Sequence, residues 1–263
     1  MSDYQDIRYT VEDKVATITL NRPDVLNSFD GAMGARLQQI LSDLRENEAC
    51  GSVVLTGAGR AFCAGQDLDD VKPVPGETPR LGEIVRGRFN PIVTALRELP
   101  RPVVCGVNGV AAGAGANLAF ACDIIFASAK AVFIQSFCKV GLVPDTGGTW
   151  FIPRTVGLSK AAELMMLGDR ITAEEALRLG LVSRVVDPDD LASAVRETAA
   201  QLANAPTYGI GLIKQALNQT FANTLEQQLE LEAELQDKAG RSSDYAEGVD
   251  AFVNKREPKF TGR

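Results

Sequence analysis

Val103-Val104-Cys105-Gly106-Val107-Asn108-Gly109-Val110-Ala111-Ala112-Gly113-Ala114-Gly115-Ala116-Asn117-Leu118-Ala119-Phe120-Ala121-Cys122 runs without a charge. Gly109 and Gly113 stand in GxxxG spacing, a pattern known from membrane spans. Here glycine and alanine dominate, and Asn108 and Asn117 interrupt the run. Leu, Ile, Phe and Val dominate a true span. The stretch reads instead as a buried strand over 103–107, a turn of small residues over 108–115, and a buried helix over 116–122.

Two further loops share this character. One is Gly57-Ala58-Gly59-Arg60-Ala61-Phe62-Cys63-Ala64-Gly65-Gln66-Asp67-Leu68, which follows a short apolar strand over 52–56. The other is Gly141-Leu142-Val143-Pro144-Asp145-Thr146-Gly147-Gly148-Thr149-Trp150. Each places small residues where a backbone must approach something closely, or simply turns tightly. None is a phosphate loop: GxxxxGK[ST] is absent, and 109–113 lacks the dinucleotide-binding glycine spacing.

Outward from these loops, strands alternate with helices. Residues 7–11 and 15–20 form a hairpin, ended by Asn21-Arg22-Pro23-Asp24. Leu37, Ile40, Leu41 and Leu44 follow helical spacing within 33–44. Residues 71–79, with three prolines and a glycine, read as a lid-like loop. Helical spacing returns over 84–99. Strands follow at 124–127, 132–134 and 182–186, and helices at 158–167 and 191–202. Thr172 with Glu175, and Thr224 with Gln227, have capping-box spacing. After Pro206 only helices are indicated, at 209–217, 225–237 and 245–254. The chain therefore divides into a strand–helix core, 1–205, and a helical C-terminal region, 206–263.

The 263 residues include 27 basic and 34 acidic side chains, a net charge of −7. That balance argues against nucleic-acid binding, which rests on neutralising phosphates. There is no histidine. This excludes Ser-His-Asp and Cys-His nucleophile systems, HExxH zinc sites and imidazole proton shuttles. Acid–base chemistry falls to Asp, Glu, Lys, Tyr or Cys. Cys50, Cys63, Cys105, Cys122 and Cys138 are odd in number and never in CxxC, so they suit neither a disulfide framework nor a metal site. They are expected to be packing residues in a cytoplasmic protein, with Cys63 the one placed for anything more. The polar, acidic stretch 1–8 resembles neither a signal nor a transit peptide.

Taken in order, the three loops resemble the crotonase (enoyl-CoA hydratase/isomerase) superfamily. The resemblance begins at Leu20-Asn21-Arg22-Pro23 and runs through Ala64 to Leu68, Asn108 to Gly113 and Pro144 to Thr149. It ends in Gly180-Leu181-Val182 and Phe252-Val253-Asn254-Lys255-Arg256. It implies an α/β fold, a spiral of ββα units with a helical C-terminal region that builds trimers or hexamers. It also implies an acyl-CoA thioester as substrate, with coenzyme A arriving as part of it, no permanently bound cofactor and no metal. Neither nucleic acid nor membrane is implied as a partner.

The same resemblance implies an oxyanion hole made by the backbone N–H groups of Ala64 and Ala114. A CoA- and substrate-binding surface would include Cys63, Gly65, Gln66, Asp67, Leu68 and Gly113. Asp67 would orient its loop or merely cap a turn, and Lys255 would reach CoA phosphates or belong to a solvated tail. The hydratase branch carries two glutamates, and their places are held here by Asn117 and Phe137. A carboxylate stands instead at Asp145, where isomerases of the superfamily place their acid–base aspartate; the alternative is a cap on the Gly147-Gly148 turn. Phe137, Phe133, Val143 and Trp150 are candidates for the pocket wall around it. Leu55 to Arg60, Phe62 to Leu68, Gly211 to Ala216 and Ala239 to Ser242 are most like the branch that converts ring-1,2-epoxyphenylacetyl-CoA to oxepin-CoA and shifts Δ3 double bonds to Δ2. Alternatives are a hydratase-like or other crotonase-fold acyl-CoA enzyme, such as a dehalogenase or thioesterase, and a non-catalytic CoA-binding protein.

Overall fold

The computed structural model describes residues 6–72, 78 and 80–263. Most of the loop expected over 71–79, namely 73–77 and 79, lies outside the described residues. The chain opens with β1 (Ile7–Glu12) and β2 (Val15–Leu20), whose antiparallel pairing runs from Ile7 opposite Leu20 to Glu12 opposite Val15. The two-residue turn puts Asp13 and Lys14 at positive φ, as a tight twisted hairpin requires. Helix α1 (Gly31–Glu46) starts where the Asp30 carboxylate accepts from the Met33 N–H at 2.8 Å. It buries Met33, Leu37, Ile40, Leu41 and Leu44.

A strand–strand–helix unit then recurs. β3 (Ser52–Gly57) and β4 (Ala61–Cys63) lead to α2 (Leu81–Ile84), a single π turn (Val85–Phe89) and α3 (Asn90–Glu98). β5 (Val103–Val107) and β6 (Val110–Ala112) lead to α4 (Ala114–Phe120). β7 (Ile124–Ser128) and β8 (Val132–Ile134) lead to α5 (Gly148–Leu167). The remainder is β9 (Arg170–Thr172), α6 (Ala173–Arg178), β10 (Arg184–Val186), α7 (Leu191–Ala203), α8 (Thr207–Gln219), α9 (Leu225–Gly240) and α10 (Ser243–Val253).

The first strand of each unit joins a six-stranded sheet, β1-β2-β3-β5-β7-β10, parallel except at β1. The second joins a four-stranded sheet, β4-β6-β8-β9, in which only β9 is antiparallel. Strands buried on both faces read as unbroken apolar runs. Thus Val53, Leu55, Val103, Cys105 and Val107 point into the main core, while Val54 and Val104 pack with Leu191, Val195 and Ala199 of α7. α8 is pinned to this core by Lys214, whose buried ammonium donates to the Leu96 carbonyl and the Asp123 carboxylate, each at 2.7 Å.

The structure adds to or differs from the sequence reading in several places. β4, β6 and β9 are three-residue strands lying in or beside stretches read as loops, too short to show a period of two. The helix expected over 158–167 is present and stops at Gly168; the sequence reading missed the helical segment before it, from Gly148, which contains Pro153 and is set off by the non-helical Gly157 (φ 78°, ψ 162°). At α6 the Thr172 hydroxyl accepts from the Glu175 N–H, but the Glu175 carboxylate turns to Arg178, so only the Thr224–Gln227 box closes on both sides. All five cysteines are free. No helix among the described residues is long and apolar enough to cross a membrane.

Candidate active site

The turn after β2 is the foundation of the site. Leu26 and Asn27 take left-handed conformations, φ 56° and 57°. This sends the fully buried Asn27 amide to the carbonyls of Ala58 (2.9 Å) and Ala61 (2.8 Å). Arg22 reaches Asp67 at 3.0 Å and Asp30 at 3.4 Å. From the π turn, Arg88 reaches Asp70 and the Gln66 side-chain oxygen, both at 2.8 Å. Two arginines therefore clamp the segment after β4, and Asp67 both caps its turn, accepting from the Asp69 N–H, and anchors it. Burial of these pairs leaves them less screened than surface ion pairs.

The clamp decides which N–H groups are available. The Ala64 N–H donates to the Leu26 carbonyl at 2.9 Å, so the donor expected at Ala64 is already committed. Two residues on, Gln66 is paired with Phe29 in a parallel bridge. Phe29 donates to Gly65 and accepts from Asp67, which turns the Gln66 N–H to the opposite side. Gly65, at φ 93°, makes this possible. A side chain there would meet the Ala112 carbonyl at 2.9 Å and the Ala114 nitrogen at 3.2 Å. Ala114 is the first residue of α4, so its N–H has no partner within the helix. The Gln66 and Ala114 segments thus lie side by side, each with an unpaired backbone donor. The spacing of the motif could not reveal this, because the choice between Ala64 and Gln66 depends on the distant carbonyl of Leu26.

Both segments line a cavity of about 590 Å³, together with Asp67, Leu68, Gly113, Phe137 and Asp145. Burial pushes the Asp145 carboxyl above its ordinary value of 3.8, opposed by the Thr146 hydroxyl, which donates to Oδ1 at 2.7 Å, and by its own backbone N–H. The Asp145 carbonyl accepts from the Gly148 N–H at 2.9 Å and from the Asn117 amide at 2.8 Å. Asn117 is fully buried and accepts in turn from Gln135 at 2.8 Å. The turn-cap reading of Asp145 is therefore met by its backbone, which leaves the carboxyl free to face the cavity.

The model of the enoyl-CoA hydratase/isomerase family matches residues 10–263. The chain belongs to the enoyl-CoA hydratase/isomerase family. It is 50% identical to a 1,2-epoxyphenylacetyl-CoA isomerase of Escherichia coli K12, over 96% of this chain and 97% of that one. It is 44% identical to a probable enoyl-CoA hydratase of Rhodobacter capsulatus, over 99% of each. A crystal structure of a putative enoyl-CoA hydratase from Streptomyces coelicolor A3(2) superposes with a TM-score of 0.94 at 38% identity, covering 100% of this chain and 96% of that one. The α/β crotonase fold expected from the sequence is the fold observed.

Within this enoyl-CoA hydratase/isomerase fold, several expected site residues stand elsewhere. Cys63 is fully buried with its thiol pushed up to about 12, so it packs beneath the loop and does not face a ligand. Asn117 lies behind Asp145, outside the cavity lining. Val143 is 80% exposed and points away, because the turn that brings Asp145 inward faces it outward. Trp150 is held outside by the Arg154 guanidinium, 4.1 Å over its ring, and by Phe151. Phe133 stacks on Phe120 in the core. Lys255 is exposed at φ 53° in the C-terminal tail, outside the cavity lining. The sequence reading missed the opposite wall, formed by Leu81, Ile84, Val85 and Phe89 of α2 and the π turn, and Lys139 at the rim. The helical spacing over 84–99 marked an apolar face but not the cavity it covers.

Proposed function

We propose that this chain is an acyl-CoA isomerase that uses Asp145 to move a proton while the Gln66 and Ala114 N–H groups hold the thioester oxygen. The observation that carries this is the Asp145 carboxyl facing the same cavity as two unpaired backbone donors. The other titratable lining residues are Asp67, bound to Arg22, and Lys139, more than half exposed beside Asp169. With a 3-enoyl-CoA, the Asp145 carboxylate takes a proton from C2. The electron pair moves into the thioester carbonyl, whose oxygen the two N–H groups stabilise. The protonated carboxyl then delivers the same proton to C4, and the double bond comes to rest between C2 and C3. No water is consumed. Asn117 and Phe137, standing where the hydratase branch carries its glutamates, supply no second proton carrier.

The Escherichia coli relative at 50% identity supports ring-1,2-epoxyphenylacetyl-CoA as a substrate, and the apolar lining residues Leu81, Ile84, Val85 and Phe89 suit a ring. Coenzyme A enters as part of the substrate, with no resident cofactor. Purified protein given 3-hexenoyl-CoA, ring-1,2-epoxyphenylacetyl-CoA and crotonyl-CoA is expected to isomerise the first two and to hydrate the third poorly or not at all. Rapid hydration of crotonyl-CoA with no isomerisation overturns the proposal.

The C-terminal helices and the turn between α8 and α9 present Leu217, Phe221, Leu225, Phe252 and Val253, each more than 60% exposed. We propose that this face packs against further copies of the chain, as a trimer or hexamer. Light scattering coupled to size exclusion is expected to give a multiple of 28.1 kDa; a monomer at micromolar concentration sinks this assignment.

A further inference from the structure

We infer that Thr146 is a positioning residue whose hydroxyl holds one oxygen of the Asp145 carboxyl and leaves the other to carry the proton. The inference rests on the reading of Asp145 as the acid–base group. Thr146 is 1% exposed and has φ 52°. A β-branched residue in this left-handed region is an outlier, because its Cβ substituents crowd the backbone. Among the described residues, the other non-glycine residues at positive φ are Asp13, Lys14, Leu26, Asn27 and Lys255, none of them β-branched. Glycine would adopt this conformation without strain, and Gly147 beside it does so at φ 80°. A strained threonine here therefore points to its side chain.

That side chain makes one contact that matters to the carboxyl: Oγ1 donates to Asp145 Oδ1 at 2.7 Å. No other side chain among the described residues donates to this carboxyl. The Asp145 carbonyl is fixed by Gly148 and Asn117, so the backbone is set from one side and the carboxyl plane from the other. A donor to the ionised form favours it, so the hydroxyl opposes the upward push of burial. The charged groups sharing the cavity are Asp67, neutralised by Arg22, and Lys139 beside Asp169. The elements behind Asp145 offer neutral Asn117 and Gln135.

The test compares Thr146→Gly, Thr146→Ser and Asp145→Asn with 3-hexenoyl-CoA, recording kcat/KM against pH and Tm. Glycine removes the hydroxyl and relieves the backbone, which offsets part of the loss of the buried methyl, and the Tm establishes that the variant is folded at the assay temperature. Its kcat is expected to fall about tenfold, and the acid limb of kcat/KM to move up by about one pH unit, as for one lost hydrogen bond to a carboxylate. Thr146→Ser restores the native limb. A native limb and rate in Thr146→Gly, with Asp145→Asn inactive, overturns the inference while the reading of Asp145 stands. A shift in Thr146→Ser as large as in Thr146→Gly also overturns it, since the hydroxyl is then not the cause. An active Asp145→Asn overturns both.

Discussion

Asp145→Asn is expected to fold normally and to isomerise 3-hexenoyl-CoA roughly a thousandfold more slowly than the native protein, the usual scale for losing a positioned acid–base group. The amide keeps the shape of the carboxyl and its contact with Thr146, but it neither takes nor returns a proton. Stability moves the other way. Burial raises the Asp145 pKa in the folded protein, so the folded state holds this proton more tightly than the unfolded chain does. The resulting stabilisation is complete below the unfolded value, near 3.8, and is lost as pH rises through the folded value. At neutral pH the ionised carboxyl is therefore a net cost, and the asparagine variant should melt at or above the native Tm. The native rate should fall on the acid side with a midpoint above the ordinary aspartate value. A slow variant that also melts much lower would point to misfolding and not to lost chemistry.

The second large effect is expected from Ala114→Pro. Proline is tolerated at the first position of a helix, where its missing N–H costs no internal bond. Here that N–H is one of the two donors assigned to the thioester oxygen, and Ala114 holds this first position in α4. Losing one such donor lowers kcat by about a hundred- to a thousandfold, roughly 3 to 4 kcal/mol of transition-state stabilisation. Far-UV circular dichroism should be unchanged, because α4 keeps its remaining hydrogen bonds. Native kcat in a folded Ala114→Pro protein would remove Ala114 from the oxyanion site.

Much of this molecule is legible in its sequence, and the parts that are not share a cause. The hairpin, α1, the strands over 52–57 and 103–107 and the C-terminal helices follow from local periodicity, and they stand within a few residues of expectation. Asp145 is singled out by the resemblance, as a carboxylate at the position where isomerases of the superfamily carry theirs. The errors arise where a distant group decides. Ala64 differs from Gln66 only because the Leu26 carbonyl, brought round by two left-handed residues, takes the first N–H. Val143 and Trp150 look like pocket residues from their neighbours, but the turn at Thr146 and the pull of Arg154 place them outside. The wall from Leu81 to Phe89 lies across the cavity from Asp145 and far from it along the chain, so no local pattern could join them.

Gly148 lies so close to Asn117 that a single added carbon would strike the amide group. The amide in turn donates to the Asp145 main chain. A glutamate in that place would be longer than the space allows and would set its oxygens against a carbonyl in place of a donor. Glutamates at both 117 and 137 would remove the amide donor that holds the Asp145 main chain. Room for a carboxylate at position 117 would therefore have to be made in the turn that enters α5, and not at 117 and 137 alone.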